Sequence, residues 1–101
     1  MIKIVKTVEE FNEEVSSGKV VVDFFASWCG PCRMLGPILD SVSEEIDNVK
    51  FIKVDIDELE SLPREFDVMS IPTIMVFENG ELKKRNTGYM EKEELKSFIL
   101  G

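Results

Sequence analysis

The sequence of 101 residues contains no histidine and only two cysteines, Cys29 and Cys32. A zinc site usually takes four ligands from cysteine and histidine side chains, so we expect no bound metal in this chain. A secreted scaffold held together by disulfides would carry more cysteines than these two. Two cysteines separated by two residues in an intracellular protein are more typical of a catalytic or metal-binding pair. The scarcity of both residue types therefore favours a catalytic role for this pair.

Positive charge is also scarce, because 12 basic residues stand against 20 acidic ones and give a formal net charge of -8. The phosphates of nucleic acids and the surfaces of anionic membranes both attract Lys and Arg, so we expect neither as a partner. No apolar run approaches the ~18 residues of a transmembrane helix. The segment 1–6 is too short and too charged for a signal peptide. We therefore expect a cytoplasmic protein, with a monomer as the default state.

Apolar residues are spread along the whole chain and make up 44% of it, which suits one core. The run 20–26 is almost continuously apolar, as in a central strand covered on both faces. Thr7 and Glu10 form a capping-box pattern that predicts a helix ending at Ser16–Gly18. Periodicity predicts the other elements, which are strands at 2–5, 50–56, 73–77 and 82–87 and helices at 32–46, 58–66 and 91–100.

The order of these elements predicts an α/β fold and a single domain over residues 1–101. The first strands can pair in parallel through right-handed crossovers. Asn79-Gly80 indicates a hairpin turn between the last two strands. We therefore expect a mixed central β-sheet, parallel in its first half, with an antiparallel C-terminal hairpin and helices on both faces.

The cysteine pair lies between the predicted strand 20–26 and the following helix. A helix N-terminus offers partial positive charge and unpaired N–H groups, which favour the thiolate that attacks disulfides. Cys29 precedes the helix and is expected to be the more accessible sulfur, whereas Cys32 is expected to be more buried. This arrangement predicts that Cys29 attacks a partner's disulfide and that Cys32 then releases the reduced partner. The alternative is a pair of buried thiols that only fill space.

The segment 22–32, with the sequence VDFFASWCGPC, resembles the active-site segment of the thioredoxin family. The run Ile71-Pro72-Thr73 resembles the cis-proline loop of that family. Asn79-Gly80 and Thr87-Gly88 match the hairpin and the late glycine of the family. The similarity spans essentially the whole chain in order and spacing, and it implies a thioredoxin fold.

The resemblance implies a protein-disulfide reductase that serves as a general electron donor in cell redox homeostasis. It implies no bound cofactor, electrons supplied by NADPH through a thioredoxin reductase, and client proteins that contain disulfides. The catalytic residues that it implies are Cys29, Cys32 and Asp23. The substrate-binding residues that it implies are Trp28, Gly30, Pro31, Ile71, Pro72, Thr73 and Gly88.

Asp23 lies among apolar residues on both sides, so we expect its carboxyl to be buried and its pKa to be raised. The resemblance makes Asp23 the proton acceptor for Cys32. Lys53 matches a family lysine near that carboxylate, although a strand-surface cation is the simpler interpretation from the sequence alone.

The bond before Pro72 would be trans by propensity, because only about 5–6% of such bonds are cis in folded proteins. The resemblance implies the cis form, which exposes the backbone of Ile71 to pair with a client peptide. Trp28, Ile71, Gly88 and Met69 are expected to form an apolar rim around Cys29 that accepts many clients.

Two positions depart from the common family pattern, because many relatives carry Trp in place of Phe25 and Ala in place of Gly36. Neither departure is expected to change the sulfur chemistry.

Two other functions stay open at this stage. The first is a binding module that uses the same rim without redox chemistry, and the second is an oxidant or isomerase of the secretory route.

Overall fold

A computed structural model describes residues 2–101 as five strands and four helices. The order is β-α-β-α-β-α-β-β-α, as the sequence predicts. The strands are β1 (Lys3–Ile4), β2 (Lys19–Phe25), β3 (Val49–Asp55), β4 (Thr73–Glu78) and β5 (Glu81–Thr87). The helices are α1 (Val8–Val15), α2 (Gly30–Glu45), α3 (Ser61–Glu65) and α4 (Lys92–Leu100).

The strands form one mixed sheet in the order β1-β3-β2-β4-β5. β3 pairs in parallel with both β1 and β2, whereas β4 is antiparallel to both β2 and β5. The hairpin between β4 and β5 turns at Asn79 and Gly80, both with positive φ, as a two-residue turn of this kind requires. The expected parallel half and antiparallel hairpin are thus confirmed.

The two faces of the sheet carry separate cores. Helices α1 and α3 cover one face, where Phe11, Val22 and Leu62 are buried. Helices α2 and α4 cover the other, where Val21 packs with buried side chains of both helices. Because side chains alternate along a strand, Asp23 lies on the same face as Val21 and therefore toward α2.

Two helices differ from their predicted bounds. The prediction begins the second helix at Cys32, but α2 begins at Gly30, because Cys29 itself acts as the N-cap. The third helix is predicted at 58–66, but α3 spans only Ser61–Glu65. The N–H groups of Glu58 and Leu59 instead close a turn on the carbonyl of Asp55, which delays the start of the helix.

None of the helices within residues 2–101 has the length and apolar character needed to cross a membrane.

Candidate active site

The cysteine pair forms a disulfide where central strand β2 ends and α2 begins. Cys29 is the N-cap of α2, and its sulfur accepts a hydrogen bond from the backbone N–H of Cys32 at 3.2 Å. Sulfur thus takes the place that the oxygen of Ser or Asp has in most N-caps. The same N–H, together with the positive end of the helix, favours the Cys29 thiolate once the disulfide is reduced.

The expected difference in exposure between the two cysteines is not found, because Cys29 is 5% exposed and Cys32 is 4% exposed. Cys29 is covered by the loop before β4, and its sulfur lies 3.9 Å from the carbonyl oxygen of Ile71. Both cysteines pack with Ala26 in a small cluster that Phe25 and Ile71 adjoin. This loop, which is distant in sequence, encloses Cys29 in a way that its position in the chain does not indicate.

Asp23 is fully buried in the middle of β2, as the sequence predicts. Neither carboxylate oxygen has a hydrogen-bond partner among the described residues. Loss of hydration raises the pKa of Asp23 from 3.8 to about 7, although the positive charge of Lys53 acts in the opposite direction. A carboxyl that titrates near neutral pH is suited to exchange a proton under physiological conditions.

Lys53 is the direct neighbour of Asp23 on the parallel strand β3. Its ammonium nitrogen lies 4.6 Å from the centre of the Phe25 ring. The side chain is half-buried rather than free on the surface. The structure therefore places Lys53 beside the buried carboxyl, and its charge acts on Asp23.

The loop before β4 contains a cis peptide bond between Ile71 and Pro72, as the resemblance implies. The N–H of Gly88, a residue with φ of +108°, donates to the carbonyl of Pro72 at 2.8 Å. The hydroxyl of Thr73 donates to the carbonyl of Ser70 at 2.6 Å. These bonds fix the loop against the start of β4 and the end of β5.

Pro72 and Thr73 are buried, with Thr73 0% exposed. Their side chains are enclosed because the loop folds back onto β5, where the hydroxyls of Thr73 and Thr87 lie 3.2 Å apart. Both residues hold the loop in place, and the half-buried Ile71 is the member of this run that faces the surface groove.

An apolar groove of about 310 Å³ lies beside Cys29 and is termed the client groove here. Two of its lining residues are strongly exposed, because Trp28 is 66% and Met69 is 86% accessible. Its full lining is Trp28, Ile56, Val68, Met69, Ser70 and Ile71. Three predicted rim residues, Trp28, Ile71 and Met69, are therefore brought together by the fold.

Other predicted residues do not line the client groove, namely Gly30, Pro31 and Gly88. Gly30 and Pro31 form the first turn of α2. Sequence reasoning missed Ile56 and Val68, which line the groove. Ile56 ends a predicted strand, and Val68 lies between the predicted helix 58–66 and the predicted strand 73–77.

It also missed Asp57, whose carboxylate accepts a hydrogen bond from the Trp28 indole N–H at 2.9 Å. No local motif around Asp57 indicates this contact, since 29 residues separate it from Trp28. The bond fixes the indole at the edge of the groove.

No cluster of three or more His, Cys, Asp or Glu side chains with the spacing of a metal site occurs within residues 2–101. The groups gathered at the site are the two sulfurs, the buried carboxyl and the helix terminus. Together these groups can form and break a disulfide and move the accompanying proton.

Comparisons with known proteins agree with this geometry. The family model described as Thioredoxin matches residues 2–100. A thioredoxin of Listeria monocytogenes is 46% identical over 90 residues, which is 88% of this chain and 87% of the relative. A thioredoxin of Rickettsia typhi is 46% identical over 101 residues, with 98% and 96% covered. The solved structure of Plasmodium falciparum thioredoxin superposes with a TM-score of 0.93 at 36% identity, covering 98% of this chain and 97% of that one.

The protein is a thiol–disulfide oxidoreductase, as shown by its fold, by the position of the cysteine pair at the start of α2 and by these similarities. The chain belongs to the thioredoxin family.

Proposed function

We propose that this protein is a general protein-disulfide reductase that receives electrons from NADPH through a thioredoxin reductase. It acts in the cytoplasm as a monomer, with residues 1–101 forming one domain, and it maintains the redox balance of disulfide-containing clients. The observation that carries the proposal is the hydrogen bond from the Cys32 N–H to the Cys29 sulfur at the start of α2. It supports Cys29 as the sulfur that becomes the attacking thiolate.

In the proposed reaction, the Cys29 thiolate attacks one sulfur of the client disulfide, and the other client sulfur leaves as a thiolate. This gives a mixed disulfide between Cys29 and the client. Cys32 then loses its proton to Asp23 and attacks Cys29, which forms the internal disulfide and releases the second client sulfur. The two electrons of the dithiol have then moved to the client, and the reductase restores the dithiol.

The client groove supports this reaction by accepting apolar client surface beside Cys29. Its exposed members, Trp28 and Met69, offer apolar area without a charge that would select a sequence. The backbone of Ile71 borders both the groove and the Cys29 sulfur, so an extended client segment can pair with it while its disulfide approaches Cys29.

The test is NADPH-coupled reduction of insulin with a thioredoxin reductase. Turnover by the wild-type protein, its loss in Cys29→Ser, and accumulation of a client mixed disulfide in Cys32→Ser are the expected results. Mass spectrometry identifies the trapped cysteine. A protein client bound through Cys32 in the Cys29→Ser variant would reverse the two roles, and background turnover by the wild type would favour a pure binding module.

A further inference from the structure

Methionine side chains are strongly exposed at two positions of the described chain, and one of them lines the client groove. Met69 is the groove residue, and Met34 lies on α2 with 62% of its surface accessible. Met75 and Met90 are buried, the cysteine pair is enclosed, and the chain contains no third cysteine. Among the described residues, the thioethers of Met34 and Met69 are therefore the sulfurs that a dissolved oxidant reaches most easily.

The loop that carries Met69 is fixed on both sides of this residue. The N–H of Val68 donates to the carbonyl of Pro63 at 2.8 Å. The carbonyl of Ser70 accepts the hydroxyl of Thr73 at 2.6 Å. These bonds hold the backbone of Met69 at the edge of the groove that its side chain lines. A chemical change at this thioether therefore changes the wall of the groove.

The client groove offers few hydrogen-bond donors to a polar group on Met69. Apart from Ser70, its other lining residues are apolar or aromatic, namely Trp28, Ile56, Val68 and Ile71. The indole N–H of Trp28 already donates to Asp57. A sulfoxide oxygen on Met69 would accept hydrogen bonds from water in the open groove and would lose them beneath an apolar client.

We propose that Met69 is a reversible oxidation site through which hydroperoxides regulate the client groove. Oxidation of its thioether to the sulfoxide weakens the docking of apolar clients, and reduction of the sulfoxide restores it. The inference rests on the reductase function proposed above, and it adds a modification site that changes which disulfides are reduced. Clients that dock through apolar surface lose affinity, whereas small disulfides that need no groove continue to react at Cys29.

The oxidation transfers one oxygen atom to the Met69 sulfur and two electrons to the hydroperoxide. The sulfur attacks one peroxide oxygen, the S–O bond forms and the O–O bond breaks. The proton of the transferred oxygen moves to the other oxygen, which leaves as water, or as an alcohol when the oxidant is an organic hydroperoxide. A methionine sulfoxide reductase reverses the change with two thiols, which give up two electrons and two protons and yield a disulfide and water.

The first experiment maps the oxidation. The protein is treated with hydrogen peroxide while the cysteine pair is in its disulfide form, which protects both sulfurs. Peptide mass spectrometry is expected to show Met69 oxidised about tenfold faster than the buried Met75 and Met90. Oxidation of Met69 no faster than that of these two residues would overturn the proposal. Dithiothreitol then reduces the cysteine pair and leaves the sulfoxide in place.

The second experiment separates the two exposed methionines. The variant Met34→Leu keeps Met69 as the exposed methionine of the described chain. The variant Met69→Leu keeps Met34, which does not line the groove and provides the matched control. Met1 is present in both variants, so an effect of its oxidation would be common to them. The client is a peptide with one internal disulfide between leucine and phenylalanine residues.

Single turnovers of the reduced variants, freed of dithiothreitol, give the rate of peptide reduction as a function of peptide concentration. In Met34→Leu, prior oxidation is expected to raise the half-saturating concentration about five- to tenfold and to leave the maximum rate unchanged, because docking is weakened and the sulfur chemistry is not. In Met69→Leu, prior oxidation is expected to change neither value. No rise in Met34→Leu, or an equal rise in both variants, would overturn the proposal.

Three further measurements complete the test. Methionine sulfoxide reductases for both sulfoxide epimers should return the half-saturating concentration of oxidised Met34→Leu to its starting value. Met69→Gln introduces a polar side chain of similar length without peroxide and should raise this concentration too. Hydroxyethyl disulfide should react at the same rate before and after oxidation, and a slower reaction would overturn the proposal, because the effect would then lie at Cys29.

Failure of the reductase function gives a different result. Unoxidised protein would then reduce neither the peptide nor hydroxyethyl disulfide. Normal reduction of both, with no effect of oxidation at Met69, would count against the modification site alone.

Discussion

Asp23 shows how the chemistry of one residue follows from its position in the sheet. The flanking apolar residues place it in the central strand, and the alternation of side chains directs it toward α2. Burial without a hydrogen-bond partner then raises its pKa to about 7. The lack of water and of hydrogen-bond partners suits the carboxyl to proton transfer near neutral pH. It also means that the ionised form of Asp23 lowers the stability of the folded protein.

Asp23→Asn is expected to stabilise the oxidised protein above neutral pH and to slow disulfide reduction. Because folding raises the pKa of Asp23 from 3.8 to about 7, the stability that the neutral acid provides is fully present below about pH 4 and is lost as the pH rises through about 7. A pKa rise of this size means that the ionised Asp23 destabilises the folded protein by at most about 4 kcal/mol at alkaline pH. Urea denaturation at pH 4 and pH 8.5 measures the gain.

The gain in Asp23→Asn should be large at pH 8.5 and close to zero at pH 4. A gain of the same size at both values would mean that the ionisation of Asp23 does not contribute. Turnover equal to that of the wild type at neutral pH would exclude the role of Asp23 in proton transfer, whatever its effect on stability.

The individual site residues were predictable where the signal lies close in sequence. Cys29, Cys32 and Asp23 stand in one short segment, where helix polarity and apolar neighbours indicate their chemistry, and the family resemblance implies the pairing of Asp23 with Cys32. Asp57 was not predictable, because its contact with Trp28 depends on how the turn after β3 meets the turn after β2. Nor was the near-equal burial of the two cysteines, which depends on the loop at Ile71.

Helix α3 and the loop that follows it set the shape of one wall of the client groove. The N–H of Asp67 donates to the carbonyl of Arg64, and the N–H of Val68 donates to that of Pro63. This is the pattern of a Schellman motif, with Asp67 in the left-handed conformation at φ of +56°. Arg85 of β5 donates to the carbonyls of Phe66 and Asp67, which fixes the turn from outside.

Asp67→Gly is expected to raise the free energy of unfolding by about 0.5–1 kcal/mol, because glycine adopts a positive φ without the steric cost that Cβ imposes. The hydrogen bonds from Arg85 reach only backbone oxygens, so they survive the change. Chemical denaturation of Asp67→Gly, with Asp67→Ala as the matched control, measures the effect. A loss of stability in Asp67→Gly as large as that in Asp67→Ala would show that the aspartate side chain, rather than the backbone conformation, stabilises this turn.

At the level of elements, the sequence predicted the order of strands and helices but not all their ends. The start of α2 was placed two residues late, at Cys32, because sulfur is not among the usual N-cap acceptors. Phe25 and Gly36, for which we predict no effect on the sulfur chemistry, line the same opening as Cys32. The sequence, taken position by position, does not show this opening, because it forms only where β2, β3 and α2 meet.

On the scale of the whole molecule, the apolar client groove is carried on a strongly acidic protein. The net charge of -8 creates a negative potential that extends beyond the groove. This potential attracts basic clients and repels acidic ones before they reach the groove. The reach of this potential depends on the salt concentration.

Basic peptide disulfides are expected to be reduced faster than acidic ones of the same length and apolar content, by about tenfold in kcat/KM at low ionic strength. Opposite charge raises the rate of encounter, whereas the chemical step at Cys29 is unchanged, so kcat should be similar for both peptides. Screening shortens the reach of the potential from about 30 Å at 0.01 M salt to about 3 Å at 1 M, so the advantage should disappear over this range. A neutral peptide provides the baseline at each salt concentration. If the basic peptide kept its full advantage at 1 M salt, a specific ion pair near the client groove would be responsible, and the overall charge of the protein would not explain client preference.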